Sequence, residues 1–162
     1  DDDERSSVDL SALSDEFQGS ACRQLAGIAA GLAAQQPPPT PQRFLRDLGR
    51  HVAGIRPPPR GYGDLARGGY NLVPGRGFLA RFDDETAGQA RHFAGIAVAS
   101  TLGGGNSTRV ISIFVRNDRE DSPDGRLTDE GILFAREVLS GELELDESPV
   151  WLLTHLCRRS PG

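Results

Sequence analysis

Lysine and methionine are missing altogether from these 162 residues, and all 18 basic side chains are arginine. With alanine, glycine and proline abundant, the missing lysine reads as GC-rich coding. The sharper alternative is pressure against lysine itself, as in proteins that escape lysine-directed tagging inside a host cell. Without methionine, Asp1 is not an initiator position, so the chain is expected to be a mature form, a cleaved product or a trimmed piece. No signal peptide is visible, which carries no weight in a processed chain. Aromatic residues are scarce at 6%, so a core must be assembled from Leu, Ile, Val, Ala and seven Phe. No run approaches the roughly 20 apolar residues that span a bilayer, and no transmembrane segment is expected. A net charge of −5 argues against general nucleic-acid binding or attraction to acidic membranes.

Cysteine is nearly absent too. Cys22 and Cys157 stand near opposite ends, neither belongs to a CxxC pair, and no histidine lies at zinc-finger spacing. A structural zinc site is therefore not expected, and nothing else in the sequence calls for a metal or a cofactor. Two readings of the cysteines remain open. They form one long-range disulfide in an oxidising compartment, tying the first helix to the last, or they are two buried free thiols.

What is present reads as a mainly α, single-domain helical bundle over residues 8–162, behind an acidic, polar lead-in at 1–7. Leu10, Leu13, Phe17, Ala21, Leu25, Ile28 and Leu32 recur at three- and four-residue steps, predicting a helix from Val8 to about Gln35. Gly19, Gly27 and Gly31 weaken it, with a break expected near Gly19, and Pro37-Pro38-Pro39 ends it. Thr40-Pro41 is a cap-plus-proline start for a second helix through Leu45, Leu48, Val52 and Ile55. Residues 60–80, rich in glycine with Tyr62 and Tyr70, read as a long ordered loop with room for a short helical turn, and a loop of that length in a small domain invites a functional reading.

Asp83 or Asp84 is expected to cap a third helix reaching Leu102. Its second half is small or apolar all round, which places it at the centre of the bundle. The β-branched run at 109–116 suits a short strand, although Val110 and Phe114 at four-residue spacing also permit helix. Asp118 to Gly125 reads as a solvated acidic turn; a calcium loop fails because its twelfth position would be Gly131, where a bidentate Glu is required. Thr128 is expected to cap a helix ending at Gly141, and Ser148-Pro149 opens the last one.

His92 is the leading candidate for chemistry. It lies where the polar start of the central helix becomes its buried half, with Gly88 and Gly95 leaving space on the same stripe. The competing reading is a hydrogen-bonded structural histidine at a close helix crossing. Arg91 beside it suits an anionic group, and equally a structural ion pair. His51 and His155 read as structural, with His155 expected beside Trp151 one turn away. Ser107-Thr108 with Glu142-x-Glu144 offers the Ser-Thr and Glu-x-Glu elements of ADP-ribosyltransferases, but too few strands are legible for that fold. The glycines at 61–69 match no nucleotide-loop spacing.

At Arg91-His92-Phe93 the chain resembles a loose group of bacterial helical domains of secreted or polymorphic-toxin type. In that group an Arg-His pair opens a small-residue helix, and an acidic element and an acidic helix start with a glycine follow. The matching pieces are Arg91-His92, Glu120 and Asp129-x-Gly131, within residues 84–141. The group often carries further His or Asn residues, and none stands near Asp129 here.

Two functions follow as expectations. The favoured one is a non-catalytic helical interaction module of a larger secreted or cell-surface bacterial assembly. It would contact a protein partner through loop 60–80, with Tyr62, Tyr70 and Leu72 as contact residues. The other is an enzymatic effector or hydrolase-like domain. There His92 is the general base or metal ligand, Glu120 or Asp129 its acidic partner, and Arg91 the anion holder.

Overall fold

The computed structural model describes residues 19–102 and 122–159. The β-branched run at 109–116 and Glu120 lie outside them. Six α-helices occupy the described residues: α1 (Ala21–Ala33), α2 (Pro41–Ala53), α3 (Arg60–Ala66), α4 (Gln89–Ala99), α5 (Pro123–Ser140) and α6 (Ser148–Leu156). The fold is mainly α. No strand occurs among the described residues, only an isolated antiparallel bridge between Phe78 and Cys157.

Local chemistry sets the helix ends. Gly19 takes φ 98° and the Ser20 hydroxyl accepts the Arg23 N–H at 3.2 Å, so α1 begins at Ala21. The Thr40 hydroxyl accepts the Arg43 N–H at 3.2 Å with Pro41 in the first turn, and α2 closes on Gly54 in the left-handed region. Three sequence expectations need correction. The central helix starts at Gln89 rather than at Asp83 or Asp84, because those carboxylates serve local turns. Asp83 accepts the Glu85 N–H and Asp84 the Thr86 N–H, and Glu85 sits at φ 70°. Ser122, not Thr128, caps α5: its hydroxyl accepts the Gly125 N–H at 3.0 Å. Pro123-Asp124-Gly125 is therefore the first turn of a helix instead of a free acidic turn, since Ser-Pro is itself a cap-plus-proline start. Segment 60–80 also opens with a helix, α3, before its irregular stretch.

Helix α4 is the hub. Gln89, Ala90 and the whole of Phe93–Ala99 are buried, and α4 packs chiefly against α2 and α5 and more lightly against α1. Small residues permit the close crossings. A methyl at Gly49 of α2 would overlap the Val98 side chain, and one at Gly131 of α5 would lie 2.9 Å from Ile96 Cγ2. Phe93, Phe134 and Trp151 link α4, α5 and α6 with ring centroids 5.4 and 5.0 Å apart, and His155 stacks on Trp151 at 4.1 Å. Those contacts join the three helices through one aromatic row.

The second half of the molecule is closed by α1 packed on α6. Cys22 on α1 and Cys157 just past α6 form a disulfide, which settles the open reading in favour of the long-range bond. Around it Leu79 N–H donates to Leu156 O at 2.7 Å and Arg158 N–H to Gly77 O at 2.8 Å. Asp83, held below its ordinary pKa by its hydrogen bond to Arg76 and then by the Glu85 N–H, also faces Arg158. The tail, the 77–83 segment and α1 are thereby locked together. No helix among the described residues is long and apolar enough to cross a membrane.

Candidate functional site

Two places gather polar side chains. The first is the crossing of α4 and α5, where His92 Nε2 lies 2.7 Å from the Thr128 hydroxyl oxygen. Thr128 is buried on α5 and His92 is half-buried on α4. The pair bridges the crossing that Gly131 brings close, one turn from the buried Phe93–Phe134 contact. A hydroxyl on an imidazole is a chemically capable arrangement. Here it also satisfies two polar groups at a helix interface that would otherwise be costly to bury.

The other expected members of this cluster are dispersed. Arg91 is half-buried, its guanidinium near the Gly88 backbone and its stem near Gly69, and it makes no ion pair among the described residues. Asp129 is exposed on α5, and no hydrogen bond or ion pair to its carboxylate occurs among the described residues. Its neighbour Glu130 approaches Arg81 at 4.0 Å. Among the described residues no group of three or more His, Cys, Asp or Glu side chains could hold a metal ion.

The second place is the turn from α2 into α3. Asp64 is wholly buried and accepts three hydrogen bonds from one residue: the Arg56 backbone N–H at 3.0 Å, Nε at 3.0 Å and Nη2 at 2.9 Å. The bidentate Arg56 guanidinium first, and then its backbone N–H, hold the Asp64 carboxyl at about 2 against the opposing effect of burial. This clamp fixes the proline-rich turn 57–59 and sets the base of the 60–80 segment. It went unnoticed in the sequence, where an arginine and an aspartate eight residues apart across three prolines have no periodic signal.

On that base the three expected contact residues are exposed, Tyr62 at 41%, Tyr70 at 47% and Leu72 at 54%. They do not form a single patch by the contacts seen. Tyr70 and Leu72 lie together across Gly54, where an added methyl would be 2.9 Å from Tyr70 Cδ2 and 3.5 Å from Leu72 Cδ1. The Tyr70 N–H donates to Ala53 O at 2.7 Å, which fastens this pair to the end of α2. Tyr62, on α3, instead lines a cleft with Arg46, Asp47, Arg50, Arg56, Ile55, Leu65, Val98 and Leu102. The arginines of that cleft had been assigned to the helix surface in general. Only the packing of α2, α3 and α4 brings them to a common opening.

His51, one turn after Asp47 on α2, is half-buried with Nε2 unpaired. Burial and then Arg50 push its pKa down, with Asp47 opposing, so the neutral ring is favoured. No protein-family model, curated protein or solved structure matches this chain.

Proposed function

We propose that this chain is a non-catalytic interaction module of a larger secreted or cell-surface assembly, docking a protein partner through the 60–80 segment. The observation that carries the reading is the exposed Tyr70–Leu72 pair seated across Gly54 on a clamped base. Aromatic anchors held in one geometry before binding lose little entropy on association. Arg67 beside Tyr70, with Nη1 3.5 Å from the phenol oxygen, adds a residue type favoured at interfaces. The Cys22–Cys157 bond supports an oxidising compartment.

A photoreactive phenylalanine analogue in place of Tyr70, introduced in producing cells, is expected to trap one discrete protein adduct. Leu72→Asp in the same chain is expected to abolish that adduct while circular dichroism stays unchanged. Absence of any adduct, or an adduct indifferent to Leu72→Asp, would overturn the reading.

The His92–Thr128 contact favours a second reading, an enzymatic effector of the toxin-like group with Arg91 and Glu120 or Asp129 assisting His92. Its test is growth of bacteria expressing the chain in cytoplasm or periplasm. Arrest by the wild type, relieved in a folded His92→Ala variant, selects this reading over the first. The burial of Thr128 supports the helix-tie role and places the enzymatic reading second.

A further inference from the structure

The cleft between α2, α3 and the end of α4 combines features that neither the partner-docking surface nor the His92 crossing uses. Its floor is apolar, formed by Ile55, Leu65, Val98 and Leu102, with Pro57 and Pro58 at one edge. Open space of about 390 Å³ lies within it, inside the range of roughly 300–1,000 Å³ typical of small-molecule sites. Gly61 keeps it open at the turn, since a methyl there would overlap the Arg56 carbonyl oxygen and could be accommodated only by moving the backbone.

Its polar groups are oriented by buried partners. Arg46 Nε donates to the Thr101 hydroxyl at 3.2 Å, and that hydroxyl donates onward to Val98 O at 2.7 Å. This leaves the terminal nitrogens of Arg46 as donors, and Arg46 makes no ion pair among the described residues. Arg56 is held by Asp64 through Nε and Nη2, leaving Nη1 outside that bidentate pair. Asp47 lines the same cleft, about nine-tenths buried, and its Oδ2 accepts no hydrogen bond. The carboxylate's only ion pair is with the exposed Arg43, at 3.5 Å. A buried acceptor without a donor costs free energy that a ligand N–H could recover.

The geometry points to a binding site for a small organic carboxylate that carries an apolar or aromatic group and an adjacent N–H, the chemistry of an N-acyl amino acid. The carboxylate meets Arg46 and the outer face of Arg56, the N–H meets Asp47 Oδ2, and the apolar group lies on Ile55, Leu65, Val98 and Leu102 with the Tyr62 ring beside it. The proposal is independent of the partner-docking reading, because it uses neither Tyr70 nor Leu72.

Titration of the full chain with N-acetyl-L-phenylalanine, followed by calorimetry and amide NMR shifts, tests it. Saturable shifts are expected at Arg46, Gly61 and Tyr62. Replacing the ligand carboxylate with an amide, or Arg46 with Gln, is expected to weaken binding roughly tenfold by removing a charge-assisted hydrogen bond. Tyr62→Ala, an exposed change away from the core, is expected to weaken it several-fold, and circular dichroism confirms the fold of both variants. The ligand 3-phenylpropionate, which lacks the N–H, is expected to bind more weakly than N-acetyl-L-phenylalanine. Failure of N-acetyl-L-phenylalanine to saturate, or equal affinity for its amide, overturns the site. Indifference to both substitutions overturns it equally, and equal binding of 3-phenylpropionate overturns the role of Asp47.

Discussion

Asp64 shows how much one carboxylate can organise. Three N–H groups of Arg56 converge on it in a place water does not reach, so either partner alone would be poorly accommodated. Asp64→Ala leaves the buried backbone N–H of the turn and the guanidinium without their acceptor. The expected loss is about 2–4 kcal/mol of stability, read as a lower urea midpoint. The pH dependence has a definite sign. The folded carboxyl titrates at about 2 and the unfolded one near 3.8, so the clamp's contribution is full above about pH 4. It is lost as pH falls toward and through 2, and acid unfolding of Asp64→Asn is expected to lack this component. His92 was legible as a candidate because it sits at a polar-to-apolar boundary on a helix. Its partner Thr128 was not, because the two lie 36 residues apart and meet only through a helix crossing.

Among the elements, the helices with strong caps and periodicity were the readable ones. Thr40-Pro41 and Gly54 bound α2 as their chemistry dictates, and the apolar run of α4 marked it as central. The start of α4 was misread because Asp83 and Asp84 are good caps in isolation. In the folded chain Arg76 and Arg158 compete for Asp83, and Gln89 donates its side-chain amide to Phe82 O, which fixes the chain in a turn until Gly88. The close approach of α2 to α4 rests on Gly49. Gly49→Ala raises intrinsic helix propensity yet forces a methyl into Val98, so the sterics dominate. The variant is expected to lose roughly 1–3 kcal/mol in chemical denaturation. Gly49→Ala combined with Val98→Ala, which makes room, is expected to recover part of that loss. Recovery would locate the cost in this contact and not in the backbone.

At the scale of the molecule, the disulfide closes a loop across 135 positions and joins the first described helix to the last. Constraining so long a stretch of the unfolded chain stabilises the folded state by about 4 kcal/mol, within a usual range of about 2–5. The Cys22→Ser, Cys157→Ser double variant is therefore expected to melt roughly 10 °C lower by calorimetry. The wild type should fall to the same value when reduced. A wild type whose melting is insensitive to reductant would show that the α1–α6 packing and the Phe78–Cys157 bridge hold this end of the molecule unaided.

The sequence by itself determined the class of this protein and the core of its helices, because helix periodicity, proline stops and Ser or Thr caps are local signals. It also determined that Tyr62, Tyr70 and Leu72 belong to a segment without an apolar face to bury them. Only the tertiary structure decided which side chains meet: Cys22 with Cys157, His92 with Thr128, Arg56 with Asp64, and Arg46 with Asp47 and Tyr62 around a common cleft. Apart from the neighbours Arg46 and Asp47, these meetings depend on how helices cross and how the chain turns between them. The crossings are set by glycine and alanine contacts distributed along α2, α4 and α5, and no single stretch of sequence contains that information.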